Sequence, residues 1–246
     1  RYIKKERFRY NSANSSYFFI VQVEVSGLCK SFYRQIVLNK VSFTVLSGSV
    51  VCLLGPNGSG KTTILKILSS ITSIGSGKVS INGKEIFPGD PSSRKFSLYI
   101  GHNASLYPSL SALENLFFIS GLYGLIASVD KIDEHLRFLS LDNHMDKQIK
   151  FYSQGMLQRL KLAVADLIPS PVLYLDEPLN ALDQEGTNLF NDLIIKWKKV
   201  NRTMLIATHN IDWVLGVADR IITLKNGQID LDLDLKVMSK EVAGNL

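Results

Sequence analysis

The 246-residue sequence is poor in cysteine, with only Cys29 and Cys52 and no C-x-x-C spacing. Two such thiols support neither a disulfide framework nor a zinc site, and a reducing compartment fits. Cys52 lies in the apolar run SVVCLLG and reads as a packed core residue. Long apolar runs are missing too. None approaches the roughly 18 residues that a membrane-spanning helix needs, so the expectation is a soluble chain, or one that reaches a membrane only through a partner. Internal repeats and low-complexity tracts are absent from the domain. Charge is modest, at 20% of residues beside 46% hydrophobic ones, an ordinary globular balance. The net charge of +6 is concentrated in the first nine residues, RYIKKERFR, which carry +4 of it. What remains is too little to make the whole domain a nucleic-acid binder. Residues 1–17 are basic and Ser/Asn-rich and lack the apolar core and cleavage site of a signal peptide. They read as a disordered or weakly attached extension, with a lipid or partner contact as the alternative, ahead of a single domain over 18–246.

What is present is an ordered alternation of patterns. FFIVQVEVSGL, VLNKVSFTVL and SVVCLLG read as strands, and Asn82-Gly83 between two β-rich runs signals a hairpin. One helix is expected over 61–69. From residue 111 to about 168 the periodicity is helical. Ser111 and Glu114 form an S-x-x-E capping box that opens a helix expected over 111–126, followed by helices over 128–139 and 153–168. Strands and helices then alternate: VLYLDEP, a helix over 183–199, TMLIATH, a helix over 211–217, and RIITL. This is the pattern of a parallel sheet with crossover helices. Asn226-Gly227 marks a second hairpin, and IDLDLDL alternates as an edge strand with one wet face would.

The sharpest motif is GPNGSGKT, comprising Gly55, Pro56, Asn57, Gly58, Ser59, Gly60, Lys61 and Thr62, with Thr63 behind it. It follows an apolar strand and precedes a helix, the setting in which G-x-x-x-x-G-K-[ST] binds phosphates. Glycines let successive N–H groups turn inward, and the helix N-terminus adds positive potential. Lys61 is expected on the β- and γ-phosphates and Thr62 on Mg²⁺. Asp176, ending the strand VLYLD, is expected to bind Mg²⁺ through water. Glu177 beside it is placed to polarise a water for attack on the γ-phosphate; the bland alternative is a solvated loop acid. His209 ends TMLIATH, and strand C-termini gather at the ligand crevice of such a sheet, so it is expected to contact the γ-phosphate and hold that water.

Together these residues resemble the nucleotide-binding subunit of an ATP-binding-cassette (ABC) transporter, over about 21–235. The family signature, usually LSGGQ, is matched by YSQGM, which keeps Ser153 and Gly155. Asn180–Asp183, NALD, matches the loop that usually reads SALD. The resemblance implies an α/β fold with a RecA-like P-loop core, an antiparallel β layer and an inserted α-helical lobe at about 103–160. It implies ATP and Mg²⁺ as ligands and ATP hydrolysis as the activity. Phe32 would stack on adenine, with Tyr33 as the alternative, and Ser153, Gly155 and Asp183 would serve a nucleotide shared with a second copy or a paired cassette. The further partners implied are integral membrane subunits, which place the chain at the cytoplasmic face of the cell membrane; no nucleic acid is expected. Soluble relatives acting on DNA or in translation usually carry a long coiled-coil insertion or two cassettes, and this chain has room for neither.

In register with the family, Leu106, Tyr107-Pro108, Leu110-Ser111 and Glu114-Asn115 put His102 where a glutamine normally helps to bind Mg²⁺ and moves with the membrane partner. An imidazole is a poor replacement for an oxygen ligand, so His102 is expected to act through water or a phosphate hydrogen bond. The pairing GH…ALENL resembles one subgroup, the heme-exporter ATPase of cytochrome c maturation, whereas signatures like YSQGM occur in drug- and polymer-exporting relatives. The apolar helix from residue 111 is expected to leave Phe117 or Phe118 at the surface that meets the membrane subunit.

Overall fold

The computed structural model describes residues 21–87, 96–101 and 106–235. The basic extension and His102 therefore lie outside the described residues. The four-stranded sheet has the order β2-β1-β4-β5, from Val23–Phe32 (β1), Gln35–Val45 (β2), Ser76–Ile81 (β4) and Lys84–Glu85 (β5). All its pairings are antiparallel. The six-stranded sheet has the order β10-β9-β3-β8-β7-β6. Its strands are Val50–Leu54 (β3), Ser97–Ile100 (β6), Val172–Asp176 (β7), Thr203–Ala207 (β8), Arg220–Lys225 (β9) and Gln228–Asp234 (β10). Five of these run parallel and β10 is an antiparallel edge. This is an α/β P-loop core with an antiparallel layer, as the family resemblance implies.

Period-two alternation divides the central strands between two cores. Val51, Leu53, Tyr174 and Leu205 face one cluster, together with Ile64 and Leu68 of the helix Lys61–Leu68 (α1) and the inner face of the antiparallel sheet. Cys52, Leu173, Leu175 and Ile206 face the other. That second cluster holds the helices Ala112–Leu122 (α2), Val129–Phe138 (α3), Gln154–Leu167 (α4), Gln184–Lys199 (α5) and Ile211–Val217 (α6). Strands buried on both faces read as unbroken apolar runs for this reason. Both cysteines are free, and burial pushes the Cys52 thiol up to about 12.

The capping box is present in full: the Ser111 N–H donates to Glu114 Oε2 (2.7 Å) and the Glu114 N–H donates to Ser111 Oγ (3.1 Å). The helix it opens is shorter than its periodicity suggests, ending at Leu122 rather than Ile126. Gly124 takes φ +70°, the Leu125 N–H donates to the Ser120 carbonyl, and the Gly124 N–H donates to the Gly121 carbonyl. This is a Schellman closure, and its left-handed position calls for glycine. Phe118, Leu122, Tyr123 and Ile126 are exposed, whereas Phe117 packs partly against the core.

The last strand also differs from its pattern. Ile229 packs inward, but a register shift between Ile229 and Leu231 breaks the alternation. Leu231 and Leu233 are therefore exposed, and β10 does not have the single wet face expected of it.

Two polar clusters tie the helices to the sheet. Arg202, just before β8, is buried and donates to the carbonyls of Ser170, Ala165 and Ile168, all at 2.8–2.9 Å. These include carbonyls at the end of α4 that have no partner within the helix. Burial lowers the guanidinium to about 9, so it remains charged at neutral pH. Asp166 accepts from Lys196 Nζ (2.7 Å) and Trp197 Nε1 (2.9 Å) and lies 2.6 Å from His135 Nδ1. Burial alone would raise its carboxyl, but the bonds to His135 and Lys196 outweigh burial and hold it well below the usual carboxylate range.

A depressed carboxyl contributes stability that is present above its unfolded value of about 3.9 and is lost as pH falls through the folded value. The denaturation midpoint should therefore fall steeply below about pH 4. Asp166→Asn should flatten that acid limb, measured by denaturant titration from neutral pH downward. An acid limb unchanged in the variant would contradict this.

Candidate functional site: a phosphate loop at the ends of four parallel strands

The carboxyl ends of β3, β8, β7 and β6 lie side by side. From β3 the chain enters residues 55–60. Pro56, Asn57 and Gly58 form an exposed tip, while Ser59, Gly60 and Lys61 are buried. Three positions need left-handed backbone: Gly55 (φ +148°), Gly58 (φ +80°) and Gly60 (φ +106°). Gly60 immediately precedes α1, so the turn delivers the helix N-terminus and its free N–H groups to the loop. Thr63, half-buried, completes that first turn. The Lys61 ammonium folds back on the loop, donating to the carbonyls of Gly55 (2.7 Å) and Pro56 (3.2 Å). The Ser59 hydroxyl is buried with no hydrogen-bond partner among the described residues. A buried cation at a helix N-terminus, beside an unpartnered hydroxyl, fits a polyphosphate anion.

Thr62 and Asp176 meet across the junction of α1 and β7, the Thr62 hydroxyl donating to Asp176 Oδ1 at 3.0 Å. The Tyr99 hydroxyl, from β6, donates to Asp176 Oδ2, also at 3.0 Å. Burial, and the Asp176 carboxylate beside it, push the Tyr99 phenol above its ordinary range, so it stays protonated. No group of three or more His, Cys, Asp or Glu residues forms a metal cage among the described residues. One hydroxyl and one carboxylate, both oxygen donors, suit Mg²⁺ held jointly with substrate phosphates.

Glu177 follows Asp176 with φ +49°, a left-handed backbone that is costly for a non-glycine residue. Its N–H donates to the Ala207 carbonyl (2.8 Å), and Oε2 lies 3.0 Å from His209 Nδ1. The adjacent strands β7 and β8 thus bring together the two residues expected to handle water. The carboxylate is sheltered and the imidazole largely exposed.

The other expected residues stand apart from this cluster. Phe32 is exposed at the β1–β2 hairpin, with the Lys30 ammonium 5.0 Å from its ring centre; Tyr33 in the turn is fully exposed. Ser153 caps α4, accepting from the Met156 N–H at 3.2 Å. A Cβ on Gly155 would fall 2.9 Å from the Ala181 carbonyl oxygen, so the start of α4 lies against the turn of residues 180–183. Asp183 caps α5, with Oδ1 accepting from the Gly186 N–H and from Arg159 NH2, both at 2.8 Å. These two bonds hold its carboxyl below the usual range, the backbone one first.

Three residues of this region escaped the sequence reading: Tyr99, Gln158 and Arg159. Gln158 is buried and donates from Nε2 to the Pro178 carbonyl at 2.8 Å, and Arg159 pairs with Asp183 and Glu185. A polar pair interrupting the apolar helix LQRLKLA was the available signal for the last two.

Residues 38–180 match the family described as "ABC transporter". The uncharacterized ABC transporter ATP-binding protein YdbJ of Bacillus subtilis is 34% identical over 87% of this chain and 70% of its own length. The lantibiotic transport ATP-binding protein SrtF of Streptococcus pyogenes is 35% identical over 85% of this chain and 90% of its own. A solved ATP-binding subunit of an ABC transporter superposes with a TM-score of 0.81 at 27% identity, covering 90% of this chain and 93% of the other. The chain belongs to the ABC transporter family as an ATP-binding subunit, and the activity of that family is ATP hydrolysis.

The loop geometry yields a direct test. A Cβ at Gly55 would fall 2.3 Å from the Leu224 carbonyl oxygen, at a φ that other residues avoid. Gly55→Ala should lower folding stability by about 1–3 kcal/mol or more in denaturant unfolding and weaken ATP binding. Wild-type stability in the variant would contradict the close approach of β9 to the loop.

Proposed function

We propose that this chain binds ATP in the loop 55–62 and hydrolyses it to drive a separate membrane subunit, acting as one of a pair of cassettes in a single domain over 18–246. The observation that carries the reading is the assembly of Lys61, Thr62, Asp176, Glu177 and His209 at neighbouring strand ends. Lys61, Ser59 and the loop N–H groups would hold the phosphates, and Phe32 offers the exposed ring for adenine. Thr62 and Asp176 would hold Mg²⁺, with His102 near it by register; the cation neutralises phosphate charge when bound. Glu177 accepts a proton from the attacking water, and His209, within hydrogen-bond reach of Glu177, orients that water toward the γ-phosphorus. Ser153, Gly155 and Asp183 would meet the nucleotide held by the second cassette and complete its site.

The surface for the membrane subunit is the groove of about 450 Å³ between β6 and the lobe, walled by Leu98, Ile100, Tyr107, Ile119, Leu122 and Tyr123. The exposure of Phe118 and Leu122 beside it supports that use. No helix among the described residues is long and apolar enough to cross a membrane. The binding place in this reading is the cytoplasmic membrane face, reached through the membrane partner that the family implies. For cargo, the name of SrtF, a lantibiotic transport ATP-binding protein, supports transport of a lantibiotic-like substrate. The pairing of His102 with ALENL supports heme export as the second reading.

Glu177→Gln should lower the ATPase rate by about 10²–10⁴-fold and leave ATP affinity nearly unchanged, measured by phosphate release and equilibrium binding. Retained turnover would remove Glu177 from the role of base.

His102 stands in register with a residue that, in the family resemblance, couples cassette to membrane partner, and imidazole is the side-chain type whose ordinary charge change falls near neutral pH. His102→Gln and His102→Ala should both change the pH profile of ATP hydrolysis in the assembled transporter. Profiles identical to wild type in both variants would contradict the coupling role.

A further inference from the structure

We infer that Tyr99 is a positioning residue for the carboxylate of the cation site. The inference rests on the assignment of Thr62 and Asp176 to Mg²⁺ proposed above and names a residue outside the motifs that define the family. Tyr99 belongs to β6, which pairs in parallel with β7 and sets Tyr99 beside Tyr174, two residues before Asp176. From there its hydroxyl reaches forward to Asp176 Oδ2, while the Thr62 hydroxyl occupies Oδ1. Both oxygens of a carboxylate only 6% exposed are therefore held, one by the phosphate loop and one by the strand on the opposite side.

The two bonds are not equivalent. The terminal torsion of an aspartate is soft and broad, so a single donor leaves the carboxylate plane free to swing. Thr62 is itself a candidate cation ligand, and its oxygen lone pairs are wanted there when the site is loaded. Tyr99 binds the far oxygen and need not change partners. It is thus the part of the clamp that persists on loading and keeps Oδ1 aimed at the cation position. Outer partners of this kind orient the groups that meet a metal. The path of the phenol is equally specific. A Cβ at Gly101 would fall 2.6 Å from Tyr99 Cε1 and from its hydroxyl oxygen, so glycine at 101 is what lets the ring lie along the strand end.

The test uses the full chain and a fluorescent ATP analogue, trinitrophenyl-ATP, titrated with Mg²⁺ and in EDTA. Tyr99→Phe keeps the ring against Gly101 and removes only the hydroxyl. The expected result is unchanged affinity in EDTA, with the Mg²⁺-dependent gain in affinity reduced by roughly 10-fold. The Mg²⁺ concentration for half of that gain should rise to match. Asp176→Asn should abolish the gain. A wild-type Mg²⁺ gain in Tyr99→Phe overturns the inference, as does an equal loss of affinity with and without Mg²⁺, which would mark a general structural role. A gain retained by Asp176→Asn overturns instead the cation assignment beneath it. Tyr99→Leu serves the same comparison should the Phe variant fail to fold.

Discussion

The site depends on the register of three parallel strands. Leu53 of β3 pairs with Ala207 of β8, and Ala207 pairs with Asp176 of β7. The three strands therefore end at one level. The ladder continues one step beyond them, the Thr208 N–H donating to the Leu53 carbonyl and the Glu177 N–H to the Ala207 carbonyl. Only after those bonds does each chain turn away, into the phosphate loop, toward Pro178, and toward His209. A slip of one residue in any strand would send its alternating side chains to the wrong core. It would also carry Asp176 or Glu177 away from Thr62 and His209. The apolar runs on both faces of these strands thus hold the chemistry in place without touching it.

Much of this was legible because the decisive signals are local. GPNGSGKT between an apolar strand and a helix, an acid pair at a strand end and a histidine at the next each carry meaning in a few residues. The capping box at Ser111 was readable for the same reason. What escaped depends on pairing between distant segments. Tyr99 meets Asp176 only because β6 lies beside β7, and Gln158 meets Pro178 only through packing of α4. The early end of α2 was visible in Gly124, yet the apolar periodicity continued past it and masked the stop. The bulge in β10 left no mark in an alternation that looks perfect on paper. Which substrate is moved has no local signal, because nothing in the phosphate site needs to touch it.

The segment after the acid pair does more than connect β7 to α5. Pro178 accepts from Gln158, the Ala181 carbonyl lies against Gly155, and Asp183 pairs with Arg159. Three successive contacts bind residues 178–183 to the first turns of α4. The helix end that would serve the second cassette is therefore joined to the turn leaving Glu177. Packed and hydrogen-bonded atoms connect the two.

In the proposed reading, one chain holds a phosphate loop and, separately, a capped helix end that would serve the nucleotide of another copy. The most direct test is the mass in solution of a chain whose hydrolysis is blocked at Glu177, measured by light scattering with ATP and Mg²⁺. The expected mass is twice the 27.5 kDa of one chain when ATP is present, with return to a single chain when Ser153 is replaced by a bulky cation, Ser153→Arg. A single chain that binds ATP fully, or a dimer indifferent to both ATP and Ser153, would contradict it.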